Sequence, residues 1–160
     1  MRGWMPQELD SCGSRRADKF YLLNIFAHTR RTIKTTQGEK IMRQIIMVGP
    51  GRSKIVDVPI PEIDDNQLLI KVTLTGICHS ELYPWSIAKA GDIFAHESMG
   101  VVAKAGKNVT GFKEGDRVTG LGGGGYKEYI VMEPAKTCHV PANLADEDAI
   151  AEPLACLLSA

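Results

Sequence analysis

The sequence predicts a mainly β domain, a barrel or a sandwich, that ends in a helix. Short β-branched or alternating apolar runs recur between residues 42 and 140. Clusters of glycine, proline and asparagine separate them about every eight to twelve residues, the spacing of a barrel or sandwich rather than of a parallel sheet. After Asn143 the chain turns acidic and then apolar at helical spacing.

The elements follow in order. Arg43 to Val48 reads as a first strand, stopped by Gly49-Pro50-Gly51, and Lys54 to Val58 as a second, closed by Pro59 and Pro61. Gln67 to Gly76 places Leu68, Ile70, Val72 and Leu74 on one face, the period of a half-buried strand. Gly100 to Ala105 is a fourth strand, and Gly106-Lys107-Asn108 turns the chain. Gly115-Asp116 makes a second turn before Arg117-Val118-Thr119, and Tyr126 to Met132 and Thr137 to Val140 complete the strands. Asn143 to Asp148 opens the helix, capped by Asn143 or Asp146, and Ala149 to Ala160 continues it.

A chain of 160 residues holds one domain with a real core and is too short for two full-size ones. Nineteen basic residues balance nineteen acidic ones, so nothing points to nucleic acid or an anionic membrane. No apolar run approaches the roughly 18 residues that span a bilayer. Cys12, Cys78, Cys138 and Cys156 are irregularly spaced, unlike a disulfide framework, and a cytoplasmic location is expected.

Residues 1–41 differ from the rest: Arg15-Arg16, Arg30-Arg31 and Lys34 are scattered without an apolar period. A signal peptide is a poor fit. Asn24 interrupts the apolar stretch Phe20 to Ala27, no small-x-small site follows, and Arg30-Arg31 comes next. The natural start is read at Met42, with residues 1–41 as a non-native or disordered extension and residues 42–160 as the domain.

Gly76-Ile77-Cys78-His79-Ser80-Glu81 and Ala95-His96-Glu97-Ser98-Met99-Gly100 carry the chemistry. A thiol, an imidazole and carboxylates together suit zinc better than calcium or magnesium. In an extended strand neighbouring side chains oppose each other, so His96 and Glu97 do not easily meet one metal. His96 is then the ligand, with Glu97 on a bulge or in an outer, ligand-orienting position. Glu152, a lone carboxylate among apolar neighbours, is the stronger third ligand, although acidic residues also favour a first helical turn. Cys78 alone would be read as a buried hydrophobe; its neighbours favour ligation. Three protein ligands leave one zinc position open, the mark of a catalytic rather than a structural site. Gly122 to Gly125 leads into a strand and is not a dinucleotide fingerprint.

At these motifs the chain resembles the zinc-dependent medium-chain alcohol and polyol dehydrogenases. The resemblance runs on through Val109-x-x-Phe112-Lys113-x-Gly115-Asp116-Arg117-Val118, Tyr126-Lys127-Glu128-Tyr129 and Glu152-Pro153-Leu154. It covers roughly Met42 to Ala160, the family's N-terminal catalytic domain, and implies a GroES-like, partly open β-barrel with a C-terminal helix and no Rossmann domain. It implies one catalytic zinc on Cys78, His96 and Glu152, with Glu97 in or beside the ligand set, and no structural zinc. Ser80 would relay the substrate proton, and His79 resembles a position that approaches the cofactor pyrophosphate. A glutamate at position 152 resembles the polyol- and threonine-dehydrogenase branch. The family has Gly before its His-Glu pair; Ala95 here requires a backbone that accepts a Cβ. The implied reaction oxidises a small-molecule secondary alcohol, polyol or amino alcohol to a ketone. NAD or NADP would serve only if a Rossmann domain supplied its site, so the chain alone is expected to be inactive. Leu154, Leu157 and Leu158 are expected to be exposed and to favour self-association. A stand-alone zinc-binding protein and a co-chaperonin-like interaction module are the alternatives.

Overall fold

In a computed structural model, which describes residues 40–122 and 124–159, a hairpin leads into an antiparallel sheet of five strands. Strands β1 (Ile41–Gly49) and β2 (Arg52–Pro59) form the hairpin, turned by Pro50-Gly51 with a register shift at Met47 to Gly49. The larger sheet has the order β6-β3-β4-β5-β7. It comprises β3 (Leu68–Thr75), β4 (Ser98–Ala105), β5 (Arg117–Gly120), β6 (Tyr129–Met132) and β7 (Thr137–His139). A bridge between Gln44 and Lys127 joins the two sheets, and the Ile45 N–H donates to the Tyr126 carbonyl beside it. Neither sheet closes on itself. The fold is mainly β, a partly open barrel.

The period-2 reading of the third strand holds. Leu68, Ile70, Val72 and Leu74 are buried while Lys71 and Thr73 face solvent. The first three pack with Val102, Val118, Ile130 and Met132, and Leu74 joins Met99, Val140 and Ala149 in a second cluster. The burial of these side chains, at roughly 1.5–3 kcal/mol each, holds the sheet that carries the site.

Two departures from expectation are local. The sixth strand begins at Tyr129, because Tyr126 turns to donate its N–H to the Phe94 carbonyl and so brings that loop to the hairpin. The terminal helix is not continuous: a single 3₁₀ turn, Asp146–Asp148, precedes α2 (Glu152–Leu158). Pro153 explains the break, since its ring would meet the carbonyl four residues back in an unbroken helix, whereas the first turn tolerates it. Asp146 caps nothing; its carboxylate holds the Arg117 guanidinium at 2.6 Å.

For residues 1–39 the expectation of a disordered extension lies outside the described residues. Lys40 and Ile41 already pair across the hairpin, the Lys40 carbonyl accepting the Ile60 N–H at 3.0 Å. No helix among the described residues is long and apolar enough to cross a membrane.

Candidate metal centre

Three segments converge on the site. The first leaves β3 through Gly76-Ile77 and delivers Cys78 to the mouth of a 3₁₀ turn, His79–Glu81, which runs into α1 (Leu82–Ser86). Ser80 therefore lies on a helical turn and not on an extended segment. Its hydroxyl still reaches back, donating to Cys78 Sγ at 3.1 Å. His79 and Ser80 are both exposed.

The second segment, residues 92–97, is irregular, and β4 starts only at Ser98. The alternation that would separate His96 from Glu97 is therefore absent. Ala95 has φ +97°, a region that favours glycine. The expected Cβ-compatible backbone is not present; the chain turns at Ala95 at a cost in strain. Donor atoms of Cys78, His96 and Glu97 consequently all lie within 4.8 Å of one another. Gly76 makes this possible, since a Cβ there would collide with the Glu97 carboxylate.

The strain at Ala95 yields an expected result. A non-glycine residue at such a φ costs about 2–3 kcal/mol. Glycine would forfeit about 0.7 kcal/mol of chain entropy and about 0.8 kcal/mol of buried methyl. Ala95→Gly should therefore gain about 1 kcal/mol, raising Tm by about 4 °C. A lower Tm in a thermal melt would show that the methyl packs better than its backbone suffers.

The third segment is the start of α2. The Ala151 N–H donates to Thr119 Oγ1 on β5 at 3.1 Å, which fixes the entry of the helix. Glu152 Oε1 then sits 3.8 Å from His96 Nε2. One turn on, the Cys156 thiol donates to the same Glu152 oxygen at 2.9 Å.

Sequence reading missed Glu81. It is 8% exposed, and its carboxylate accepts from three donors. They are His96 Nδ1 at 2.9 Å, the Ala95 N–H at 2.8 Å and the Tyr126 hydroxyl at 2.6 Å. Because an ionised carboxylate only accepts, His96 carries its proton on Nδ1 and presents the Nε2 lone pair to the cluster. An acidic residue three positions after a ligand-like cysteine was the available signal; its burial is not visible in the sequence.

Burial raises the Glu97 carboxyl above its ordinary value, against the Cys78 hydrogen bond, and the Glu152 and Glu81 carboxylates raise it further. Burial, and then the Glu81 carboxylate it serves, likewise raise the Tyr126 phenol. Among the described residues His96 meets Glu81 through its Nδ1–H and faces Glu152 at 3.8 Å with its Nε2 lone pair. The Glu97 carboxylate, the Cys78 thiol and the His96 lone pair converge, with Glu152 beside His96, and a divalent, borderline-soft cation fits that donor set. Cys138 and His139 do not join the set: the Cys138 thiol faces the Thr119 carbonyl and His139 stacks on Phe112 at 4.6 Å.

Residues 64–142 match the alcohol dehydrogenase GroES-like domain. An alcohol dehydrogenase of Cupriavidus necator is 38% identical over 82 residues, 49% of this chain and 22% of that protein. Sorbitol dehydrogenase of Mus musculus is 35% identical over 89 residues, 51% of this chain and 24% of that protein. A protein assigned as a zinc-binding dehydrogenase from Sinorhizobium meliloti 1021, solved bound to NADP, superposes with a TM-score of 0.64 at 26% identity. That alignment covers 75% of this chain and 44% of the other. The chain thus spans less than a quarter of the length of these two curated relatives.

Proposed function

Since residues 64–142 belong to the alcohol dehydrogenase GroES-like domain family, we propose that this chain supplies the metal-holding half of a zinc-dependent, NAD(P)-linked dehydrogenase site. The observation that carries the reading is the convergence of Cys78, His96 and Glu97 donor atoms within 4.8 Å, with Glu152 against His96. A bound zinc would supply Lewis-acid polarisation of a substrate oxygen.

The protein's own groups do the rest. Glu81 keeps the His96 proton on Nδ1 and so keeps Nε2 basic. The exposed Ser80 hydroxyl, which donates to Cys78 Sγ here, would turn its own proton to water as its oxygen accepts the proton of a small alcohol, polyol or amino alcohol. His79, exposed beside it, would meet an anionic group of the cofactor. The hydride acceptor itself requires a nucleotide-binding domain, because Gly124-Gly125 runs on toward β6 rather than opening a helix. Without a positioned nicotinamide there is no effective-molarity gain, so the chain alone would not turn over. Free Cys78, Cys138 and Cys156 suit a reducing cytoplasm. Leu157 and Leu158, about four-fifths exposed, favour self-association through α2.

Metal analysis tests the reading. The purified chain should carry about one zinc, and Cys78→Ser or His96→Ala should lose it. Full zinc retention in Cys78→Ala would refute the assignment. Comparing Glu97→Ala with Glu152→Ala then ranks the two carboxylates: the larger loss of affinity identifies the ligand.

A further inference from the structure

We propose that an apolar pocket behind the metal centre binds a small protonated amine with an apolar body, its ammonium against Glu81. The site does not need the metal, so it stands apart from the reading above.

The pocket has a volume of about 240 Å³ and lies between the β1–β2 hairpin and α1. Ile45 and Met47 of the hairpin and Trp85 of α1 line it, and Phe94 and Tyr126 complete it. Backbone bonds tie these walls together, so the pocket is preformed. The Gly51 N–H donates to the Trp85 carbonyl, the Met47 N–H to the Asp92 carbonyl and the Ile45 N–H to the Tyr126 carbonyl, each at 2.9 Å.

This is not the place of an alcohol at the metal, because Glu81 stands between the two. Its Oε1 holds His96 Nδ1, whereas Glu152 faces His96 from the Nε2 side. Its Oε2 accepts from the Tyr126 hydroxyl at 2.6 Å, on the side of the pocket that Tyr126 lines.

The walls select the ligand. They are almost wholly apolar, so a polyol would lose its hydration without finding partners. Glu81 and Asp92 line the pocket and no lysine, arginine or histidine does, which disfavours anions and favours a cation. Trp85, Phe94 and Tyr126 bring aromatic rings, whose faces attract ammonium groups. The Tyr126 hydroxyl takes one of the two places on Glu81 Oε2, and an N–H of the ligand can take the other. An apolar cavity of about 150 Å³ holds benzene, so this one has room for a ring with a short amine arm. Such an amine is protonated at neutral pH, as a lysine is.

Benzylammonium, titrated into the EDTA-treated full chain, tests the site, because the amine then has no zinc to bind instead. Calorimetry should give one site with a Kd of about 0.1–1 mM, as expected for a ligand of about eight non-hydrogen atoms. Benzyl alcohol has the same shape without the charge and should bind about tenfold more weakly; benzoate should bind about a hundredfold more weakly. Trp85→Leu keeps an apolar wall and removes the ring. It should weaken benzylammonium about fivefold and benzyl alcohol less than about twofold. Glu81→Gln should bring benzylammonium down to the affinity of benzyl alcohol. No benzylammonium binding, benzyl alcohol or benzoate bound as tightly, or an affinity unchanged in either folded variant would overturn the proposal. Light scattering adds a further check. A dimer that benzylammonium dissociates would put a second copy of this chain in the pocket and would overturn it too.

Discussion

Glu81→Ala should lose about 3–5 kcal/mol of stability and about 10–100-fold in zinc affinity. Deleting this carboxylate leaves the Tyr126 hydroxyl, the Ala95 N–H and His96 Nδ1 without their acceptor, in a site where Glu81 is 8% exposed. Each unsatisfied donor costs about 1–3 kcal/mol, and the three share one partner, so the sum falls below simple addition. The loss of metal has a separate cause, for an imidazole no longer held at Nδ1 is free to rotate and to change tautomer. Tyr126→Phe discriminates between the two effects. It removes one of the three bonds, should cost about 1–1.5 kcal/mol, and should leave zinc affinity within about twofold of wild type. Urea unfolding and competitive zinc titration measure both. A Glu81→Ala protein with wild-type midpoint and affinity would show that His96 is held by something other than this carboxylate.

The strands were legible because their cause is local. Alternation of Leu68, Ile70, Val72 and Leu74 is a property of eight consecutive residues, and the structure buries all four. The donor-bearing motifs were legible for the same reason: Cys78, His96, Glu97 and Glu152 stand out chemically from apolar and glycine-rich surroundings. What was not legible depends on distant partners. Glu81 is buried by Tyr126, forty-five residues on, and by the turn at Ala95, fourteen on. The run from His79 to Ser86 holds proline, aromatics and two serines, with no apolar period, so its helical turns were missed. The reverse error occurred at the terminus. Residues 149 to 160 have helical spacing, but Pro153 delays α2 until Glu152. At Ala95 the residue type argued against a glycine-like backbone, and the tertiary demand of presenting His96 to Glu81 prevailed. Local preference was overridden at the site itself, where strain is commonly stored.

Gly76→Ala should destroy the centre while leaving both metal-facing residues beside it, Cys78 and His96, chemically intact. The space a Cβ would fill is taken by the Glu97 carboxylate and lies close to Glu97 Cβ as well. The two residues cannot separate easily, because the Gly76 N–H donates to the Glu97 carbonyl at 2.7 Å and Glu97 is 2% exposed. The added methyl therefore drives the carboxylate out of the donor cluster into a buried place without partners, at a cost of about 3–5 kcal/mol. Zinc affinity should fall by about 100-fold, since one donor is lost and Cys78, two residues away on the same segment, is displaced with it. A double-mutant cycle separates collision from ligation. In Gly76→Ala combined with Glu97→Ala the collision with the carboxylate is gone, so most of the stability should return, with a coupling of about 2–3 kcal/mol. Zinc affinity should stay low, because the carboxylate is gone as well. Additive losses of stability in the two single variants would mean that Gly76 is required for its backbone alone, and wild-type zinc affinity in Gly76→Ala would remove Glu97 from the centre.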